Sequence, residues 1–246
     1  MAGTLNRLKK DLQKLADPQK ASILSRFFKT GKGEYGEGDV FLGIPVPEQR
    51  KVAKRYSSLS FPEIQTLLSS RIHEHRLAAL LILVIRFKSA NDAGRQKIVE
   101  FYLGNTKRVN NWDLVDLSAE KILGEYLLER DKSAIYGLAQ SDNVWARRIA
   151  VISTFAFIKR HRFEDTLRLA EQLMNDRHDL IQKAVGWMLR EIGKRDQEAE
   201  EGFLRKYHRA MPRTMLRYAI ERFDQEKRDE YLGKIQIVQT KEKKAI

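Results

Sequence analysis

The stretch Arg147–Ala150 decides the predicted fold, because parts of it recur at fixed distances along the chain. A cation followed by small apolar residues returns 36 residues later at Lys183–Gly186, and Arg148–Ala150 matches Arg76–Ala78 at an offset of 72. Self-similarity of this length, built from helix pairs, is typical of HEAT-type solenoids. We therefore predict an all-α fold, a HEAT-like α-solenoid formed by a curved stack of antiparallel helix pairs. The second helix of each pair lines its concave wall.

Outward from this stretch, the sequence has helical periodicity nearly everywhere and lacks the alternation typical of strands. Asp17 followed by Pro18 predicts an N-cap with proline at the first helical position, and 60–63 predicts a capping box. We expect one HEAT-like repeat domain over 1–235 and a disordered basic tail, 236–246. The predicted helices, with ends good to about two to four residues, span 4–15, 18–29, 47–58, 61–70, 73–89, 92–103, 111–129, 132–140, 143–160, 163–175, 179–194, 197–209 and 213–231.

The composition favours a polyanionic partner. Lysine and arginine number 46 against 33 aspartates and glutamates, a formal net charge of +13 that attracts nucleic acid. The 246 residues, 42% of them hydrophobic, suffice for a core. The absence of cysteine excludes disulfides, thiolate catalysis and cysteine zinc sites.

Neither a membrane span nor a secretion signal is predicted. The longest apolar run, Leu77–Ile85, is far shorter than the roughly 20 residues that cross a bilayer. The first ten residues contain no apolar signal core behind their positive charges. We therefore expect a cytoplasmic protein.

Residues 30–47 are too rich in glycine and proline for a regular element. Within them, Gly31–Gly36 formally matches a dinucleotide-binding fingerprint, which we reject because it follows a predicted helix instead of a strand. Two interpretations stay open. The segment is either an ordered surface loop joining two repeats, or a loop that lies against nucleic acid with Lys32 and Tyr35 available to a sugar or phosphate.

Two predicted helices present side chains that a core-facing helix does not need. Trp112 and Asp116 are four residues apart and therefore share a helix face. By the same spacing, Lys183, Trp187 and Arg190 share a face of another helix. Indoles beside these charges suit a ligand that is anionic at its edges and cationic at its centre, and alkylated DNA fits that description.

Each of these residues also has a structural interpretation. An indole at helical spacing often packs inside a core, which is the role that we expect for Trp145, three residues before Arg148. Asp116 taken alone is also compatible with a salt bridge, and Asp113 is expected to be an ion-pair or helix-dipole partner. For Arg147 neither interpretation is favoured.

The five histidines do not predict a metal site. His73 and His75 are two residues apart, on different sides of a helix, and no cysteine or carboxylate cluster completes a ligand set. We expect surface or capping roles for His161, His178 and His208. No metal and no cofactor are predicted.

Several separated motifs, in one order from about residue 20 to residue 225, carry a family resemblance. They are Phe41–Ile44 with Pro47-Glu48, Asn111–Asp116, Ser141–Trp145 with Arg148, Ile181–Arg190, and Met211–Thr214 with Arg217–Ile220. Together they resemble the AlkD family of DNA alkylation repair glycosylases. The resemblance implies a HEAT-like superhelix with a cationic concave groove for duplex DNA, and excision of cationic N3- and N7-alkylated purines.

The resemblance also implies roles for individual residues. Asp116 falls on the essential aspartate of the family, Trp112 and Trp187 on tryptophans that touch the lesion nucleotide, and Arg148 on an arginine that contacts the DNA backbone. Pro45 departs from the pattern, since it stands where a polar DNA-contacting side chain is expected and offers no donor.

The implied chemistry needs few residues. Ordinary glycosidases use two carboxylates, but an N3- or N7-alkylpurine is already cationic and leaves without a proton, so one carboxylate suffices. Asp116 would stabilise the oxocarbenium ion and orient water, while Trp112 and Trp187 stabilise the cationic sugar and base. Lys183 and Arg190 are expected to contact DNA phosphates. The family works without a deep base pocket, which implies tolerance of bulky cationic lesions.

We therefore predict a monomeric, monofunctional alkylpurine DNA glycosylase whose partner is double-stranded DNA containing alkylated bases. Two alternatives stay open: a non-catalytic HEAT-like protein that binds damaged or branched DNA, and a scaffold for an acidic protein with the indoles as interface anchors. The presence of Asp116 argues against the first. An Asp116 carboxyl turned outward or held in an internal ion pair, remote from both indoles, would remove the enzyme interpretation.

Overall fold

The computed structural model describes residues 2–233. Within this range the regular structure is helical, apart from one isolated backbone bridge between Val40 and Ile72. The predicted all-α class is thereby confirmed. The tail 236–246 lies outside the described residues, so its expected disorder stays a prediction.

The α-helices are labelled α1 to α16 in chain order. They span Ala2–Gln13, Pro18–Phe27, Val46–Arg55, Phe61–Leu68, His73–Ser89, Asp92–Gly104, Trp112–Ala119, Glu125–Leu127, Ser133–Ala139, Val144–Ser153, Phe155–Ile158, Glu164–Gln172, Asp179–Gly193, Gln197–Tyr207, Arg213–Ala219 and Gln225–Tyr231. Short 3-10 turns occupy Thr106–Arg108 and Ile220–Arg222, and a π turn occupies Glu120–Gly124.

The predicted helix starts at Pro18 and Phe61 are confirmed. The Asp17 carboxylate accepts hydrogen bonds from two backbone N–H groups of the first turn of α2, each at 3.1 Å. At the start of α4, Ser60 and Glu63 form the predicted capping box, in which the Glu63 carboxylate accepts from the Ser60 backbone N–H at 2.9 Å. Local capping chemistry therefore sets these two boundaries.

Three predicted helices are not continuous α-helices. The one over 111–129 contains the π turn. The one over 143–160 is interrupted between α10 and α11 at Thr154, whose hydroxyl donates to a carbonyl of the preceding turn at 2.7 Å. The helix predicted over 213–231 is divided because Asp224 caps a new helix, α16, with its carboxylate. Side chains that bond the local backbone compete with helix propagation and explain these last two interruptions.

The contacts divide the chain into two compact units, Met1–Arg162 and Phe163–Ile246. The first unit contains α1 to α11, and α5 lies at its centre, buried along most of its length and packed against α3, α4 and α7. The prediction of a single domain over 1–235 is not tested by this division.

The second unit is built around α13, which packs closely against α15. A Cβ atom at Gly186 would lie 2.3 Å from the Met215 carbonyl oxygen, so this approach of two helices requires glycine. In 2–233, none of the helices combines the length and apolar character needed to cross a membrane.

Candidate functional site

Asp116 and Arg148 form a bidentate ion pair between α7 and α10. Arg148 Nε donates to Asp116 Oδ1 at 2.9 Å, and Arg148 Nη2 donates to Asp116 Oδ2 at 2.8 Å. The Arg148 side chain is buried, and that of Asp116 is 16% exposed. The predicted catalytic carboxylate is thus held in an internal ion pair by the arginine that was predicted to contact the DNA backbone, but it is not remote from Trp112, which lies one turn before it on the same helix.

The environment of Asp116 disfavours its charged form, and Arg148 offsets part of that effect. Burial raises the pKa of the Asp116 carboxyl, the Arg148 guanidinium opposes the rise, and the nearby Asp113 carboxylate adds to it, so the pKa stays above the ordinary value. Two parallel N–H donors from one guanidinium are the arrangement that an ionised carboxylate accepts. Asp116 is therefore a largely buried but partly exposed carboxylate whose charge is supported by Arg148.

Trp112 lies one helical turn before Asp116, at the edge of an aromatic cluster. Its indole stacks on Phe28 with ring centroids 4.9 Å apart and an interplanar angle of 9°. Phe27 meets the same indole edge-on at 5.8 Å, and its own side chain is 62% exposed. Neither phenylalanine is predicted from the sequence as a site residue, although the pair directly precedes the glycine-rich segment.

The glycine-rich segment is anchored to α5 by backbone and side-chain hydrogen bonds. The backbone of Val40 pairs with residues 71 and 73 at 3.0 and 2.8 Å. The buried Glu74 carboxylate accepts from three consecutive N–H groups, those of Leu42, Gly43 and Ile44, at 2.9, 2.8 and 3.2 Å. Segment 30–45 is non-helical as predicted, and these bonds make it an ordered loop.

The tip of this loop lies against α10. The Tyr35 ring meets the buried Trp145 indole edge-on at 5.9 Å, and the Lys29 ammonium lies 5.8 Å from the Tyr35 ring centroid. A Cβ at Gly36 would lie 2.4 Å from the Phe28 carbonyl oxygen, so the chain passes too closely there for any other residue. Lys32 is exposed. Tyr35 therefore packs beside the helix that carries Arg148, and Trp145 is buried, as its expected structural role requires.

His73 is buried between two carboxylates. Its Nδ1 lies 3.0 Å from Asp39 Oδ2 and its Nε2 lies 2.8 Å from Asp113 Oδ2, while Arg76 Nη2 donates to Asp39 Oδ2 at 2.5 Å. The Asp113 carboxylate thus bonds a buried histidine, which is compatible with its expected role as an ion-pair or helix-dipole partner. No group of three or more potential metal ligands occurs within residues 2–233. His178, by contrast, caps α13 as predicted.

Three predicted site residues lie on α13, in the second unit, and each contacts an acidic side chain. The contacts are Lys183 Nζ to Asp179 Oδ2 at 2.8 Å, Trp187 Nε1 to Glu191 Oε1 at 3.2 Å, and an ion pair between Arg190 and Glu221. The Lys183 and Arg190 charges are thus partly offset by local carboxylates. In the first unit, Arg147 donates to the carbonyls of residues 141 and 142.

A family comparison decides the identity of the chain. The model of the DNA alkylation repair enzyme family matches residues 8–223. The chain belongs to this family. The resemblance to AlkD proposed from the motifs is thereby confirmed, and a comparison with curated proteins finds no match.

Three solved structures have a similar fold. A predicted DNA alkylation repair enzyme from Enterococcus faecalis is 18% identical, with 85% of this chain and 97% of that chain covered and a TM-score of 0.67. AlkD2 from Streptococcus mutans is 18% identical, with 84% and 98% covered and a TM-score of 0.54. A further Streptococcus mutans UA159 structure gives the same values. At this identity the likeness concerns the fold, and it confirms the HEAT-like class.

In this member of the DNA alkylation repair family, long-range contacts add residues to the predicted set. Phe28 supports Trp112, and His73 connects Asp39 of the loop to Asp113 of α7. The sequence signals for them were weak: an aromatic pair before a loop, and a histidine at the start of an apolar run. The partners of His73, Asp39 and Asp113, are 34 and 40 residues away in the sequence, so local spacing does not reveal them.

Proposed function

We propose that the protein is a DNA glycosylase that excises cationic N3- and N7-alkylated purines from duplex DNA. The observation that carries the proposal is the partly exposed Asp116 carboxylate, held by Arg148 one helical turn after the Trp112 indole. Family membership supports action in DNA alkylation repair. The glycosylase chemistry and the residue roles are our inference from the motif resemblance together with this site.

The reaction requires only one carboxylate. The bond between the sugar C1′ and the purine nitrogen breaks, and its electron pair neutralises the alkylpurine cation, so no acid is needed. The sugar becomes an oxocarbenium ion, which the negative Asp116 stabilises. Water adds to C1′ and its proton is lost to Asp116 and then to solvent.

Arg148 has two roles in this proposal. It favours the ionised form of Asp116, because its guanidinium opposes the rise in pKa caused by burial. It also offers cationic donors to the phosphate beside the lesion. A phosphate that shares the guanidinium with Asp116 weakens the ion pair and makes the carboxylate more available to the sugar.

Aromatic side chains make a second contribution to the proposed catalysis, after that of the Asp116–Arg148 pair. The Trp112 ring is supported by Phe28 on one face, which orients the indole for contact with the lesion nucleotide. Contact of a cation with an indole contributes about 0.5–2 kcal/mol. Trp187 is proposed to act on the lesion as well, on the basis of its motif.

Basic and loop residues are proposed to bind the DNA backbone. Lys183 and Arg190 would exchange their present carboxylate partners for phosphates, and exposed Lys32 together with Tyr35 would contact the sugar-phosphate chain from the loop. We propose that the protein acts on double-stranded DNA as a monomer and without a cofactor.

The decisive experiment compares two aspartates that both pair with arginine. Asp116→Asn removes the buried carboxylate, whereas Asp92→Asn changes a carboxylate that pairs with Arg130 on the exposed surface. Duplexes carrying either an N7-alkylguanine or a neutral O6-alkylguanine are incubated with each protein, and released base is quantified. We expect release of the cationic base by the wild type and Asp92→Asn, and loss of release with retained DNA binding in Asp116→Asn. Wild-type rates in Asp116→Asn, or equal rates on the neutral base, would overturn the proposal.

One observation favours a second candidate, a non-catalytic protein that binds damaged DNA. The Asp116–Arg148 pair is internal and bidentate, and such a pair also serves simply to join α7 to α10. In that case DNA binding is salt-dependent, no base is released by the wild type, and Asp116→Asn lowers stability alone.

A further inference from the structure

The hydrogen bonds of His73 define the charge of its ring. A carboxylate accepts hydrogen bonds and does not donate them, so each ring nitrogen that faces one must carry a proton. Both His73 nitrogens face carboxylates, Asp39 at 3.0 Å and Asp113 at 2.8 Å. The Arg76 guanidinium beside Asp39 favours the ionised form of that carboxylate, although Arg76 Nη2 also lies 3.4 Å from His73 Nδ1 and opposes a positive charge on the ring. With two carboxylates against one guanidinium, the geometry favours an imidazolium.

The charge balance of the cluster leads to the same conclusion. Asp39 and Asp113 carry two negative charges, and Arg76 supplies one positive charge in the same buried cluster. Protonated His73 supplies the second. Buried charges are tolerated when they are paired, so loss of the His73 proton would leave one carboxylate without compensation.

The charged groups around His73 come from three elements. Arg76 lies on its own helix, α5, Asp39 comes from the loop, and Asp113 comes from the first turn of α7. The rings that pack on His73, those of Phe28 and Phe41, carry no charge.

His73 also reaches Trp112 through stacked rings. The His73 ring lies 4.4 Å from Phe41, Phe41 lies 5.0 Å from Phe28, and Phe28 lies 4.9 Å from Trp112, with interplanar angles of 20°, 25° and 9°. Asp113 is the residue directly after Trp112. The imidazolium is therefore connected to the indole both by an ion pair and by ring contacts.

We propose that His73 is a positioning residue, whose charged ring holds the glycine-rich loop against the helix that carries Trp112 and Asp116. Burial and the Arg76 guanidinium lower the pKa of His73, but the Asp113 and Asp39 carboxylates raise it by more, so its pKa lies above the ordinary value. The charged ring therefore contributes fully below the ordinary histidine pKa, and the contribution is lost as the pH rises through the raised pKa. Only the catalytic consequence of this inference rests on the proposed function.

The test uses His73→Gln and a matched control, His75→Gln. His75 lies on the same helix, is also buried, and bonds a serine hydroxyl instead of a carboxylate. Nitrogen NMR of the histidine rings measures whether wild-type His73 is doubly protonated, and hydrogen exchange measures the protection of loop residues 31–42 across the pH range.

We expect both wild-type His73 nitrogens to be protonated at pH 6, below the ordinary histidine pKa. Loop amides should exchange about tenfold faster or more in His73→Gln, while His75→Gln keeps wild-type protection. A neutral His73 ring at pH 6, or unchanged loop exchange in His73→Gln, would overturn the inference. If His73→Gln does not fold, the wild-type titration and the pH dependence of wild-type loop exchange still decide.

Release of alkylated base provides a result that is separate from the NMR and hydrogen-exchange measurements. If the wild type releases alkylated base, His73→Gln should lower the rate of release more than DNA affinity. If the wild type releases none, the proposed glycosylase function fails, while the NMR and exchange measurements still test the positioning role.

Discussion

The Arg148 guanidinium holds both carboxylate oxygens of Asp116, at 2.9 and 2.8 Å, between helices that are distant in sequence. Burial alone would favour the neutral acid, and the arginine opposes that preference. The pair consequently links the packing of α7 on α10 to the charge of the candidate catalytic group and, in the proposed function, to the contact of Arg148 with a DNA phosphate.

Replacing Arg148 by alanine should affect both stability and the pH dependence of base release. The variant leaves a buried carboxylate without its partner, which costs about 3–5 kcal/mol in the free energy of unfolding. The pKa of Asp116 should rise further, so the acidic limb of the pH–rate profile moves to higher pH. Arg148→Lys keeps the charge but not the bidentate geometry. Its stability and its pH–rate profile should therefore lie between those of the wild type and Arg148→Ala. A profile that does not move in Arg148→Ala would separate Asp116 from the reaction.

The indole of Trp112 should matter for cationic lesions in particular. Trp112→Ala removes the aromatic face, and a loss of about 0.5–2 kcal/mol corresponds to roughly a twofold to thirtyfold slower release. Trp112→Phe should retain most of the rate. Trp145→Phe is the matched control, because that indole is buried against Tyr35. Single-turnover rates on an N7-alkylguanine duplex measure the effect, and equal losses in Trp112→Ala and Trp112→Phe would argue against a role for the aromatic face.

Local spacing predicted the parts of the fold and site that depend on neighbouring residues. Helix periodicity and caps placed most helices, and a separation of four residues placed Trp112 and Asp116 on one helix. The continuous helices predicted over 143–160 and 213–231 were wrong, because side-chain bonds to the backbone at Thr154 and Asp224 compete with an otherwise suitable helical pattern.

Contacts between distant segments were not predictable in the same way. The Arg148 motif indicated a DNA contact, and nothing in its spacing indicated that Asp116, 32 residues earlier, is its partner. His73 was assigned no site, because its charge arises from Asp39 and Asp113, which the fold brings to opposite sides of its ring. A residue whose protonation depends on two remote carboxylates leaves no local pattern.

Lys183 provides a test of backbone binding. Its ammonium pairs with Asp179 on an exposed face, so a phosphate competes with one carboxylate. If Lys183 contacts a phosphate, Lys183→Ala should lower the slope of log affinity against log salt by about 0.9, with similar loss on undamaged and alkylated duplexes. Lys194→Ala, which removes a lysine that pairs with Glu191 on the same helix, is the comparison. Titration of a fluorescent duplex at several salt concentrations measures the slope, and an unchanged slope would exclude the contact.

Glu200 should make the stability of the protein depend on pH. Burial raises the pKa of its carboxyl to about 8, the neighbouring Glu201 adds to the shift, and Arg190 opposes it. A carboxyl with a raised pKa stabilises the fold while it is protonated, so its contribution is complete below the ordinary value and is lost as the pH rises to about 8. Glu200→Gln removes this pH dependence. The free energy of unfolding of the variant, relative to wild type, should therefore increase by roughly 2–4 kcal/mol from pH 5 to pH 8.

The adjacent residue supplies the control for Glu200→Gln. Although partial burial raises the pKa of Glu201, hydrogen bonds from Lys227 and Gln197 lower it by more, so its ionised form is the stabilising one. Glu201→Gln should therefore lower stability at neutral pH, the opposite sign from its neighbour. Chemical denaturation of the three proteins at pH 5, 6.5 and 8 measures both effects. A Glu200→Gln difference that stays constant over this range would show that Glu200 is already ionised in the folded protein at pH 5.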